Sequence, residues 1–163
     1  MNYIDTSVIV SALDNKDTSS DESIKILKRP EKVVSELVIA ELNSVMFRNR
    51  NFKTLVAELS GDVLSTSYAV IAYVLERFEI LYLPTQHLKT ETPIGVYDNV
   101  IAFTIGLTNR IPLKTLDLLH ISYALDIANS TRSQIEFITR DKEFETYKNE
   151  ILEFCRIKIN WIP

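Results

Sequence analysis

Tyr3-Ile4-Asp5-Thr6-Ser7-Val8-Ile9-Val10 opens the chain with apolar residues on both sides of a polar Asp-Thr-Ser triplet. The pattern predicts a buried parallel strand that ends near Asp5 and gives way to a turn. Near the other end, Glu136-Phe137-Ile138-Thr139 runs into Arg140-Asp141 in the same manner. Lys32-Val33-Val34 reads as a short strand between them, and so does Glu79-Ile80-Leu81-Tyr82-Leu83-Pro84, which proline ends. A last strand is expected from Phe154 to Ile162, where polar and apolar residues alternate. Asp14 to Asp21 reads as a polar loop. Helices are expected over Glu22 to Lys28, Glu36 to about Arg48, most of Lys53 to Phe78 (two helices with a break near Ser60-Gly61), Val96 to Leu107, Leu116 to Ala128 and Lys142 to Asn149. Strands alternating with helices over one domain, residues 1–163, imply an α/β sandwich with a mostly parallel sheet. In such sheets the functional crevice lies beyond the carboxyl ends of the strands.

The composition narrows the chemistry. Of 163 residues 46% are hydrophobic, enough for a substantial core. Only 3 Gly and 5 Pro are present, which excludes a low-complexity chain. Cys155 is the one cysteine, and there are 2 His, so neither an internal disulfide nor a zinc cluster is expected. A reducing, cytoplasmic compartment follows. Met1-Asn2-Tyr3-Ile4-Asp5 lacks the basic and apolar regions of a signal peptide. Ala69 to Leu75 and Val100 to Phe103 are too short to span a bilayer. The net charge of -4 and pI of about 5.3 argue against a broad basic nucleic-acid surface. An acidic protein still acts on nucleic acid where metal ions hold the phosphate.

Four carboxylates fall at strand ends or helix starts. Asp5 and Asp141 sit where the first and fourth strands run out, at one edge of the sheet. Paired carboxylates at such an edge suit a hard divalent cation. Thr6 and Ser7 follow Asp5, and Thr139 precedes Asp141, so hydroxyls are at hand to fix a carboxylate or a metal-bound water. Glu41 lies within Leu37-Val38-Ile39-Ala40-Glu41-Leu42, and Asp117 within Leu116-Asp117-Leu118-Leu119-His120-Ile121. Neither has a basic residue four positions on, and a carboxylate on an apolar helix face is unfavourable without compensation. Singly, each acid has a plain alternative. Asp5 fits a turn, Asp141 a helix N-cap, Glu41 a solvated helix edge and Asp117 the first turn of its helix.

The order Ile4-Asp5-Thr6-Ser7, Ser35-Glu36-Leu37-Val38-Ile39-Ala40-Glu41-Leu42, Leu116-Asp117-Leu118-Leu119-His120-Ile121-Ser122-Tyr123-Ala124 and Phe137-Ile138-Thr139-Arg140-Asp141-Lys142-Glu143-Phe144 resembles the PIN-domain family, most closely its VapC toxins. The resemblance covers nearly the whole chain. It implies a three-layer α/β/α sandwich with a parallel five-stranded sheet. It also implies an acidic quartet of Asp5, Glu41, Asp117 and Asp141 that binds one or two Mg²⁺ or Mn²⁺ ions. The implied activity is metal-dependent endonucleolytic cleavage of RNA. Implied partners are an antitoxin protein and a second copy of the chain. Ser7 and Thr139 match the family's small hydroxyl residues beside the first and last aspartates. The departure is length, in a longer stretch from about Phe52 to Phe78.

Other residues carry weaker signals. His120 reads as a packed or hydrogen-bonded structural histidine ahead of a ligand, and His87 as a solvated loop residue. Arg48, Arg50 and Lys53, with Phe47 and Phe52 among them, suit an RNA backbone or a solvated helix end. Asp126, nine residues past Asp117, falls on the opposite side of its helix and outside the site. The apolar residues Leu55, Leu59, Val63, Tyr68, Ile71, Ala72 and Leu75 suit either core or a partner helix. Two other functions compete: a non-catalytic PIN-like module that binds RNA or protein, and a metal-dependent phosphohydrolase. Asp5-Thr6-Ser7 lacks the second aspartate two positions on that a haloacid-dehalogenase phosphatase carries.

Overall fold

Short apolar runs separated by amphipathic ones dictate the order of elements in the computed structural model, which describes residues 1–48, 54 and 62–163. Strand β1 (Asn2–Ile4) leads into helix α1 (Thr6–Leu13), then α2 (Ser20–Leu27). Strand β2 (Lys32–Val34) is followed by α3 (Glu36–Arg48). After α4 (Val63–Arg77) comes β3 (Ile80–Tyr82), then an antiparallel hairpin of β4 (Lys89–Thr92) and β5 (Gly95–Asp98). Helices α5 (Asn99–Leu107) and α6 (Thr115–Thr131) pack together and lead to β6 (Glu136–Thr139). Helices α7 (Lys142–Thr146) and α8 (Lys148–Cys155) precede the last strand, β7 (Lys158–Trp161).

The main sheet has five strands in the order β3-β2-β1-β6-β7, and every neighbouring pair is parallel. Helices flank it, as the alternation predicts. In register, Tyr3 faces Val33 on one side and Phe137 on the other, and Ile4 faces Ile138. All of these are fully or almost fully buried, as expected of a central strand covered on both faces. The Phe137 ring stacks on Tyr3 at 5.2 Å between centroids and meets Phe144 at 4.8 Å. Among the described residues no helix is long and apolar enough to cross a membrane.

Three expectations are corrected. Residues after Asp5 form helix α1, not merely a turn, because Val8, Ile9 and Ala12 are spaced to bury one helical face. Val96 to Asp98 belong to β5, so the following helix starts at Asn99. Pro93 and Gly95, the latter at φ 143°, close a hairpin over this stretch. Phe154 and Cys155 end helix α8, because Arg156 adopts a left-handed φ of 57° and stops it before β7 begins at Lys158. Of the two helices expected over Lys53 to Phe78, the second is present as α4, and the expected first one and the break near Ser60-Gly61 fall outside the described residues except at Thr54.

Cys155 is buried at the end of α8. Burial pushes its thiol up to about 11, against a smaller pull from Arg110. At pH 8 native protein is expected to react with a disulfide reagent far more slowly than protein unfolded in guanidinium. Equal rates in the two states would show that this end of α8 is open.

Candidate metal centre

Strand β1 ends one residue before Asp5, whose amide still donates to the Ile138 carbonyl at 3.0 Å. The Asp5 side chain is thereby fixed at the carboxyl edge of the sheet, and it is buried. Its Oδ2 accepts from Ser7 Oγ at 2.5 Å and from Thr139 Oγ1 at 2.7 Å. Each of those hydroxyls is held in turn. Ser7 Oγ accepts the Arg140 amide at 3.1 Å, and Thr139 Oγ1 accepts the Asp141 amide at 3.0 Å. Asp141 caps α7 through Oδ1, which accepts from the Glu143 amide at 2.8 Å. It lines the site cavity as well, so one side chain fills both of its expected roles.

Helices α3 and α6 bring the other groups. Thr6 Oγ1 donates to Glu41 Oε2, and His120 Nε2 lies 3.0 Å from the same oxygen. His120 Nε2 is 3.9 Å from Asp5 Oδ1, and its Nδ1 lies 3.5 Å from the Tyr3 hydroxyl. Asp5, Glu41 and His120 each offer a ligand atom within 4.8 Å of the others. Burial works against a charge on His120, but Glu41, Asp5 and Asp117 outweigh it and raise its pKa above the usual value. Burial likewise opposes ionised Glu41, yet hydrogen bonds from His120 and Thr6 hold it below the usual carboxylate value. The surrounding carboxylates thus favour the protonated form of His120 more than water does for a free imidazole.

Asp117, in the first turn of α6, is the least satisfied member. Its Oδ2 is buried and has no hydrogen-bond partner among the described residues. Burial raises its pKa, with Asp141 and then Glu143 adding to the shift. Asp5, Glu41, Asp117, His120 and Asp141 line one cavity of about 380 Å³, together with Thr6, Ser7 and Arg48 at its wall. Hard oxygen donors, an imidazole and an unpartnered buried carboxylate oxygen are a set that fits Mg²⁺ or Mn²⁺.

The four acids singled out in the sequence therefore meet at one cavity, with Thr139 buried behind Asp5. Three of the closest-set donor atoms come from Asp5, Glu41 and His120; Asp117 and Asp141 stand outside that triplet. His120, read from sequence as structural, is packed at 3% exposure and also faces the carboxylates. The signal for it was its place three residues after Asp117, on the same helix face. Arg48 is exposed at the cavity, while Arg50 and Lys53 lie outside the described residues. Asp126 lines a different cavity.

The electrostatics of Asp117 have a consequence for stability. Its pKa is raised in the folded state, so folding binds a proton that the unfolded chain has released. The resulting penalty is absent below the unfolded pKa of about 3.9, grows as pH rises toward the folded value and is fully present above it. In EDTA at pH 7, Asp117→Asn is expected to melt at a higher temperature than the parent, with the gap closing toward pH 4. A lower melting temperature at pH 7 would mean that the carboxylate is satisfied.

A family model described as PIN domain matches residues 3–150. No curated protein matches the chain. Among solved structures, VapBC-1 from nontypeable Haemophilus influenzae is similar at 20% identity, covering 99% of this chain and 98% of that one, with a TM-score of 0.56. VapBC2 from Rickettsia felis, bound to a DNA fragment from its promoter, is similar at 14% identity over 100% of both chains, with a TM-score of 0.57. FitAcB from Neisseria gonorrhoeae is similar at 15% identity over 98% and 96%, with a TM-score of 0.55. These likenesses concern the fold.

Proposed function

This chain belongs to the PIN-domain family, and from that premise we propose that it is a divalent-metal-dependent endoribonuclease, the toxin of a VapBC-type pair. PIN domains are generally nucleases. The observation that carries the reading is the convergence of Asp5, Glu41, Asp117 and Asp141 on one cavity, with a buried Asp117 oxygen that lacks a partner among the described residues. Fold likeness to VapBC and FitAB complexes supports the toxin role and a cognate antitoxin as partner. The same family supports a homodimer as the working form.

Asp5, Glu41, Asp117 and Asp141 are the residues that would hold one or two Mg²⁺ or Mn²⁺ ions. Such an ion, when bound, supplies Lewis acidity toward a phosphate oxygen and makes water a stronger acid. Ser7 and Thr139 fix the Asp5 carboxylate in one orientation, and Thr6 does the same for Glu41. Thr139 also accepts the Asp141 amide, so one hydroxyl ties two of the acids into a common frame. Arg48, exposed at the cavity, brings positive charge to a substrate backbone that the chain's net charge of -4 would otherwise repel. Hydrolysis needs no side-chain nucleophile: a water oxygen bonds to phosphorus as the phosphorus–oxygen bond to the leaving ribose breaks.

Purified protein given a mixed pool of structured and single-stranded RNA is expected to cut it with Mn²⁺ or Mg²⁺ and not in EDTA. Asp5→Asn should cut about 100-fold less or worse while keeping its fold. Cleavage that persists in EDTA, or in Asp5→Asn, would sink the metal-site assignment. Metal should also stabilise the native state. At 100 times its Kd, Mn²⁺ adds about 2.7 kcal/mol. The accompanying rise in Tm should vanish in Asp141→Asn, and an undiminished rise would remove Asp141 from the ligand set.

A further inference from the structure

A second cavity lies against the same two helices, on faces turned away from the metal centre. On α3, Glu36 precedes Glu41 by five residues, about 140° around the helix; on α6, Asp126 follows Asp117 by nine, about 180°. The second cavity, of about 220 Å³, has Glu36 and Asp126 in its wall and shares no lining residue with the metal-centre cavity. Its volume is below that of drug-sized pockets and several times the roughly 30 Å³ share of one water.

Two carboxylate oxygens there are left unused. Asp126 is 6% exposed, and its Oδ2 is buried without a hydrogen-bond partner among the described residues. Glu36 Oε2 is in the same condition, although its Oε1 accepts from the Thr85 amide at 2.7 Å and the Thr85 hydroxyl at 3.1 Å. The third acid of the wall, Asp98, already has Lys89 at 3.9 Å. His87 is the one basic side chain of the cavity wall, and it is exposed. Buried carboxylate oxygens with spare acceptor capacity are uncommon and unfavourable. They mark a place where positive charge with hydrogen-bond donors belongs.

The geometry selects the kind of cation. A compact dication needs closely converging ligands. Among the described residues, only Asp5, Glu41 and His120 bring three such atoms within 4.8 Å of one another. A guanidinium is a flat monocation with five donors in a fixed fork, able to bridge acceptors from separate elements. Leu88 and Val100 also line the cavity, an apolar wall for a methylene stem. We propose that the cavity between α3 and α6 binds a guanidinium group, with Glu36 and Asp126 as its acceptors. The group's source is either a free small molecule or an arginine side chain of a partner.

The test is titration of the full chain in EDTA, followed by calorimetry, with butylguanidine and with the capped tripeptide Ac-Ala-Arg-Ala-NH2 as probes. Asp126→Asn should weaken binding at least tenfold, and Glu36→Gln should do the same, while Asp5→Asn leaves it unchanged. Two variants are used so that misfolding of one does not decide the matter. Binding of butylguanidine alone would point to a free ligand; binding of the peptide as well would point to an arginine of a partner. The proposal is overturned if neither probe binds. It is equally overturned if binding survives in both Asp126→Asn and Glu36→Gln, and failure in Asp5→Asn would then send the cation to the other cavity. Loss of butylguanidine binding on adding Mn²⁺, in Asp5→Asn as in the parent, would identify a metal site instead.

Discussion

A buried carboxylate at the end of the innermost strand is the constraint around which the rest is arranged. Asp5 lies where β1 gives out, between β2 and β6 in the sheet order. A buried carboxyl oxygen so placed persists only with donors around it. Two hydroxyls supply them, one from α1 and one from the end of β6. The Thr139 donor exists because Ile4 pairs with Ile138, which sets Thr139 beside Asp5. A slip of one residue between β1 and β6 would turn Thr139 to the other face and leave the Asp5 oxygen without it. Sheet register and site chemistry are therefore one requirement, and the aromatic stack of Tyr3, Phe137 and Phe144 reinforces it from below.

Gathering further acids around Asp5 is unfavourable in proportion to their closeness. The ligand-free protein meets this in two ways. Around Glu41 it places His120, whose Nε2 lies 3.0 Å from the carboxylate and whose pKa the neighbouring acids raise. Around Asp117 it places, among the described residues, no cation within hydrogen-bonding range, and the neighbouring Asp141 and Glu143 aggravate the burial. The half of the cavity nearest His120 is balanced, and the half nearest Asp117 is not. An arrangement of this kind stores a preference for an external cation, since adding positive charge relieves the unbalanced half without dismantling the other.

The sequence made the sheet legible because parallel, doubly covered strands read as short apolar runs, and β2 and β6 are found where Lys32-Val33-Val34 and Glu136-Phe137-Ile138-Thr139 stand. The hairpin was not legible. Its strands alternate weakly, and Val96 reads equally well as the start of the apolar α5. The end of α8 was hidden for a related reason: residues 154–161 alternate as a strand should, and only the left-handed backbone at Arg156 breaks them into helix and strand. Asp5 and Asp141 were visible as acids at strand ends, and Glu41 and Asp117 as misplaced charges within apolar helix segments. The involvement of His120 was not, because a histidine within an apolar helix looks the same whether it packs silently or faces a carboxylate. Which of the two holds depends on α3 arriving opposite α6, a tertiary fact.

That same crossing of α3 and α6 accounts for a feature with no counterpart in the local pattern. Each helix carries one acid toward the metal-centre cavity, Glu41 or Asp117, and another toward the second cavity, Glu36 or Asp126. Ordinary amphipathic helices confine charge to their solvated face. Here buried carboxylate oxygens without partners among the described residues lie on two faces of α6, at Asp117 and Asp126. Burying both can be tolerated only because hydrophobic packing of α6 outweighs it, through Leu118, Ile121, Ala124 and Ile127. The helix is thus held by its apolar stripe and loaded by acids on either side of it. Positive charge arriving at either face removes part of that load, and because the two cavities share no lining residue, the two contributions should combine nearly additively.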